Sequence, residues 1–86
     1  MNDDHIILGV HITDRMTNAP AVQKVFTEFG CNIKTRIGLH DVDANVCSPS
    51  GVVLLEFFGS QGDAEAMAAR LCEVDGVHVQ TMVFGH

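Results

Sequence analysis

The chain contains no tryptophan and no tyrosine. A platform on which bases or sugars stack is therefore not expected. Basic side chains are scarce: five lysines and arginines stand against eleven aspartates and glutamates, a formal net charge of −6. Phosphate contacts need a basic surface, so nucleic-acid binding by this domain is not expected. The three cysteines are odd in number and never spaced as CxxC, which speaks against a disulfide framework and suits reduced thiols in the cytoplasm. No apolar run approaches the roughly 20 residues of a membrane helix. The opening MNDDH is acidic, whereas a signal peptide starts basic. There is no nucleophile in a glycine-rich elbow, no phosphate loop and no carboxylate pair of evident geometry, so the chain does not read as an enzyme.

What is present is a compact pattern. Eighty-six residues, 47% hydrophobic and 19% charged, make one globular domain over residues 1–86. A chain this short buries only about 60% of the surface its unfolded form exposes, and oligomerisation is an economical way to bury more.

Residues 5–13, HIILGVHIT, read as a strand, with Ile6, Leu8, Val10 and Ile12 on one face and Ile7, Gly9 and His11 on the other. A helix follows, with Thr17 or Asn18 as its cap, Pro20 in its first turn, an apolar stripe of Val22, Val25, Phe26 and Phe29, and Gly30 closing it in a left-handed conformation. Strand 2 spans about Asn32 to His40, alternating Ile33, Ile37 and Leu39 with Lys34, Arg36 and His40. Strand 3, Gly51 to Phe58, alternates Val53, Leu55 and Phe57 with Val52, Leu54 and Glu56. Paired in this way, Arg36 and Glu56 share a face. Ser60 and Asp63 resemble a capping box for a helix with Ala64, Met67, Ala68 and Leu71 on one side. Asp75-Gly76 is a turn, and VHVQTMVF is the last strand.

The order β-α-β-β-α-β, with one apolar stripe per helix, predicts an α+β, ferredoxin-like fold. Both helices cover one face of a four-stranded antiparallel sheet of order 4-1-3-2. The uncovered face then holds Ile7, His11, Lys34, Arg36, His40, Val52, Leu54, Glu56, His78, Gln80, Met82 and Phe84. That is too apolar for a solvated surface, and it reads as the face of a homodimer or tetramer, with a ligand cleft at the interface as the sharper alternative.

The stretch IKTRIGLHDVDANVCSPSGVVLLEF, the closing TMVF, EFGCNI before strand 2 and VDGVHVQ before strand 4 resemble an ACT-type regulatory domain. More closely, nearly the whole chain resembles a group of small ACT-like proteins, the iron-only hydrogenase system regulators. That resemblance implies small-molecule sensing by dimers or tetramers. Amino-acid-binding ACT domains carry an Asp-x-Pro-Gly-like turn after strand 1, and this chain has Asp14 to Pro20 there, without glycine. The Asp14–Asn18 loop is the position that corresponds. The ligand-binding domain of the nickel-responsive repressor is also similar in fold, and His40 and Cys47 sit comparably to its histidines and cysteine. A His-x-His pair is absent here, and the repressor's DNA-binding arm has no counterpart, so a regulatory role implies a partner protein.

An imidazole and a thiolate suit a transition metal such as zinc or nickel. His40 and Cys47 are accordingly the candidate metal ligands, to be completed by His11, His78, His86, Asp41 or Asp43 of this chain or another. The competing readings of Cys47 are a packed small side chain and a redox-sensing thiol beside Arg36 or His40. Asp14, Asn18, Arg36, His40 and Glu56 are the candidate small-ligand residues. The sequence is expected to encode a cytoplasmic regulatory or ligand-binding module that lacks its own DNA-binding segment, a metal-responsive sensor, or a purely structural interaction domain.

Overall fold

The computed structural model describes residues 4–42 and 47–85. Strand β1 (His5–Ile12) leads into helix α1 (Arg15–Glu28), strands β2 (Ile33–Val42) and β3 (Cys47–Phe57), helix α2 (Gln61–Cys72) and strand β4 (Val77–Phe84). The sheet order is β2-β3-β1-β4, antiparallel throughout. This is the expected ferredoxin-like arrangement.

The period-two alternation of β1 decides the layering. Ile6, Leu8, Val10 and Ile12 are buried, and the residues between them are not. They meet Val22, Val25 and Phe26 of α1, Ala64, Met67 and Leu71 of α2, and Leu55, Phe57 and Val77 of the flanking strands, forming one core between sheet and helices. Helix α2 starts where its sequence says it should: the Ser60 hydroxyl accepts from the Asp63 backbone N–H at 3.1 Å. Across the outer surface the Arg70 guanidinium forms a two-pronged ion pair with Glu28, its second prong at 2.9 Å. This pair joins the end of α1 to α2.

Helix α1 departs from expectation at both ends. It begins at Arg15, ahead of the expected caps Thr17 and Asn18, and Pro20 lies past its first turn. The residue before it, Asp14, is left-handed (φ 51°), and its carbonyl accepts from the N–H groups of Thr17 and Asn18 at 3.1 and 3.0 Å. The Asn18 side chain caps nothing because it reaches back to the Thr13 carbonyl at 2.7 Å. At the other end Phe29 closes the helix by donating to Val25. Gly30 opens a short 3-10 turn, Gly30–Asn32, and is not left-handed.

The hairpin is longer than its composition suggests. β2 runs on to Val42 and β3 starts at Cys47, so much of the expected 40–51 loop is strand. β1 ends at Ile12, opposite Gly51, so the tip of the hairpin extends past the layered body. The molecule measures 47 × 24 × 18 Å overall. Pro49 lies in β3 beyond the stretch that pairs with β1.

Two predictions follow from these joints. Gly76 is left-handed (φ 78°), and a Cβ placed on it would collide with the Thr13 hydroxyl and come within 3.0 Å of the Asn18 amide. Gly76→Ala should lower unfolding free energy by about 1–3 kcal/mol in urea titrations; a change within the scatter of a neutral surface substitution would contradict the geometry. The hydrogen bond from Arg70 holds the Glu28 carboxyl below its ordinary pKa. Because the folded-state value is depressed, the pair stabilises fully above the ordinary carboxylate range and is lost as pH falls through the lower folded-state value. The thermal-midpoint gap between wild type and Arg70→Gln should therefore be present at neutral pH and vanish in acid. A pH-independent gap would contradict it.

Candidate functional site

The register sorts the open face into rows. Thr35, Glu56, Ile7 and Met82 form one; Ile37, Leu54, Gly9 and Gln80 the next; Val52, His11 and His78 the third, with Leu39 at its β2 position. The face keeps large apolar groups in the open: Ile37 and Met82 are each 51% exposed, and Phe84 is 54% exposed at its end. The other face of the same strands lies under two helices.

β2 reads this face differently from a simple alternation. Ile33 pairs with Phe57 and Thr35 with Glu56, so Lys34 is an extra residue, a bulge. Two residues of β2 oppose one of β3, and every position beyond is inverted. Arg36 thus pairs with Leu55 on the helix side, where its guanidinium lies 4.8 Å over the Phe26 ring and donates to Gln23 at 3.0 Å. The expected Arg36–Glu56 pair is absent. Thr35 donates to Glu56 at 3.1 Å, and Lys34 approaches it at 3.7 Å. Ile37, expected against the helices, faces outward. A second shift lies between His40 and Val42, and the register sets His40 opposite Gly51 rather than in the row of Val52.

Glu56 and Lys34 also line a cleft of about 230 Å³ with Asp4, His5, Phe57, Phe58 and Gly59. It carries both signs of charge beside two aromatic rings, a setting that suits a small zwitterion or a polar side chain. At the opposite end of β1, Thr13 donates to the Gly76 carbonyl through its N–H (2.9 Å) and its hydroxyl (2.7 Å). With the Asn18 bond to Thr13, these contacts clamp the β1–α1 and α2–β4 turns together. Asp14 is exposed on that clamp. The candidate residues therefore fall into separate places: Asp14 and Asn18 at one end of the body, Glu56 toward the other, and Arg36 on the far side of the sheet.

His40 and Cys47 lie on adjacent strands near the hairpin tip, where Val42 pairs with Cys47. Their side chains, and Asp43 and His86, lie outside the described residues. Among the described residues no group of three or more histidine, cysteine, aspartate or glutamate side chains is placed to hold a metal. Cys31 and Cys72 are free and exposed. No helix among the described residues is long and apolar enough to cross a membrane.

Fold and faces together define a small ferredoxin-like domain with one covered and one open sheet surface. No family model and no curated protein matches the chain. Solved structures do. An uncharacterised protein from Thermotoga maritima is similar with a TM-score of 0.80 at 20% identity, over 95% of this chain and 99% of that one. A nitrogen regulatory PII-like protein from Thiomonas intermedia, bound to ADP, AMP and bicarbonate, is similar at 0.52 and 11%, over 96% and 94%. A dimeric ferredoxin-like protein from an uncultured marine organism is similar at 0.51 and 13%, over 96% and 94%. At these identities the likeness is one of fold.

The bulge makes a checkable claim. Arg36→Ala should cost about 0.5–1 kcal/mol through the lost ring contact. Its effect should add to that of Glu56→Ala with a coupling no larger than about 0.5 kcal/mol in a double-mutant cycle. A larger coupling would put the two side chains back on one face.

Proposed function

We propose that the chain is a non-enzymatic regulatory or ligand-binding module of the cytoplasm that works as a homo-oligomer through its open sheet face. The observation that carries this reading is the exposure of Ile37, Met82 and Phe84 on a sheet whose other side carries the core packed under α1 and α2. Apolar surface of this kind on a small domain marks an interface. The similar PII-like protein is regulatory and binds nucleotides, and another structure of like fold is a dimer, which supports the reading by analogy of fold. The resemblance of the IKTRIGLH–LLEF stretch to the iron-only hydrogenase system regulators supports a regulatory role within that group. A net charge of −6 favours a protein partner over nucleic acid. Ligands would enter at the interface edge, at the Asp14–Asn18 turn or at the cleft beside Glu56.

A second reading, a metal-responsive sensor, has one observation in its favour. His40 lies on β2 two residues before Val42, the residue that pairs with Cys47 on β3, so both belong to one hairpin. Zinc or nickel is the metal class that a thiolate and an imidazole would select.

Sedimentation equilibrium tests the first reading. Wild type should show an integral multiple of the 9.3 kDa chain mass, and Ile37→Lys with Met82→Lys should reduce it to one chain with helix content intact. A wild-type monomer at tens of micromolar, or a doubly charged variant that still assembles, would sink it.

A further inference from the structure

Two histidines stand directly opposite each other on the two strands at the centre and edge of the sheet. His11 of β1 pairs with His78 of β4, and their rings lie 6.3 Å apart, centre to centre, inclined by 30°. Ile12 and Val10 on one side, and Val77 and Val79 on the other, turn into the core. Both imidazoles are therefore on the open face. Neither the fold nor the core requires a histidine at either position.

We propose that His11 and His78 form a two-imidazole site for a divalent transition metal of the zinc, nickel or copper class. Imidazole nitrogens suit these ions. With nitrogen–metal distances of 2.0–2.1 Å, two imidazoles on a tetrahedral ion have ring centres roughly 5 Å apart. The observed pair needs to close by about 1 Å, which a small side-chain rotation supplies. The surroundings leave room for it. The next open-face position on β1 is Gly9, and Gly76 precedes His78, so neither of these positions carries a side chain that crowds the pair; Gln80 of β4 and Val52 of β3 adjoin it in the register. The backbones under both ligands are held by the antiparallel ladder, which fixes their separation better than a loop would. Two protein ligands leave the remaining coordination positions to water or to a donor brought by whatever covers the face. The site is distinct from the hairpin of His40 and Cys47. β3 separates β1 from β2, and the register puts His40 in the row of Gly51, Ile12 and Val77 rather than in that of His11.

The test is a calorimetric titration of the untagged full chain with zinc chloride, paired with amide spectra on adding nickel(II) chloride. We expect one zinc per chain, affinity at least about tenfold weaker in His11→Gln and in His78→Gln, and no change in His40→Gln or Cys47→Ser. Nickel should broaden the wild-type amides around residues 9–13 and 76–80, a readout that needs no variant to fold. Absence of zinc binding by wild type, binding that survives both His11→Gln and His78→Gln, or broadening centred on residues 40–47 would overturn the proposal. In the last case the hairpin would be the metal site.

Discussion

Everything in this molecule hangs on β1. It has a hydrogen-bonded neighbour on each side from Ile6 to Ile12, and its even-numbered residues form the floor of the core. Burying each such side chain contributes about 1.5–3 kcal/mol, against roughly 1–2 kcal/mol of backbone entropy for every residue ordered. A domain with two helices and one buried sheet face has few such residues to set against that cost. The same alternation that builds the core sends Ile7, Gly9 and His11 to the other side. The open face is thus the unavoidable complement of the core, and its apolar residues are the unused remainder of a sheet that could be covered twice.

Where sequence pattern and geometry share a cause, the pattern was readable. β1 alternates because one face is buried; the Val22–Phe29 and Ala64–Leu71 stripes recur at helical spacing because each helix buries one side; Ser60 caps α2 because its oxygen is placed to accept from Asp63. β2 was readable only to Ile33. A bulge adds one residue without altering composition, and Ile33, Ile37 and Leu39 keep the same parity with or without it. The pattern therefore predicted a face that Lys34 cancels. Arg36 held the only clue: a guanidinium can lie on an aromatic ring at the margin of a core as readily as it can pair with a carboxylate, and a strand at the sheet edge has such a margin available.

The start of α1 was misread for a related reason. Thr17 and Asn18 have capping chemistry, but the chain leaves β1 with Thr13 bonded to Gly76, and the turn must fold tightly enough to hold that contact. Asp14 takes the left-handed conformation, and Asn18 is drawn to the strand-end carbonyl instead of to helix N–H groups. Long-range contact overrode local propensity. That clamp joins residues 63 positions apart, a relation no local pattern expresses.

The same distinction separates the hairpin of His40 and Cys47 from the His11–His78 pair. A site at the hairpin tip draws on two strands alone, since β1 has already ended at Ile12. His11 and His78 sit instead within the ladder that carries the core, with their neighbours in sequence packed beneath the helices. Two ligands whose backbones are fixed by folding lose little further freedom on binding. An ion there would also place charge on the face whose apolar residues argue for association. Metal binding and assembly, if both occur, must then be linked by mass action: a partner that supplies a donor tightens the site, and one that buries the imidazoles without a donor weakens it.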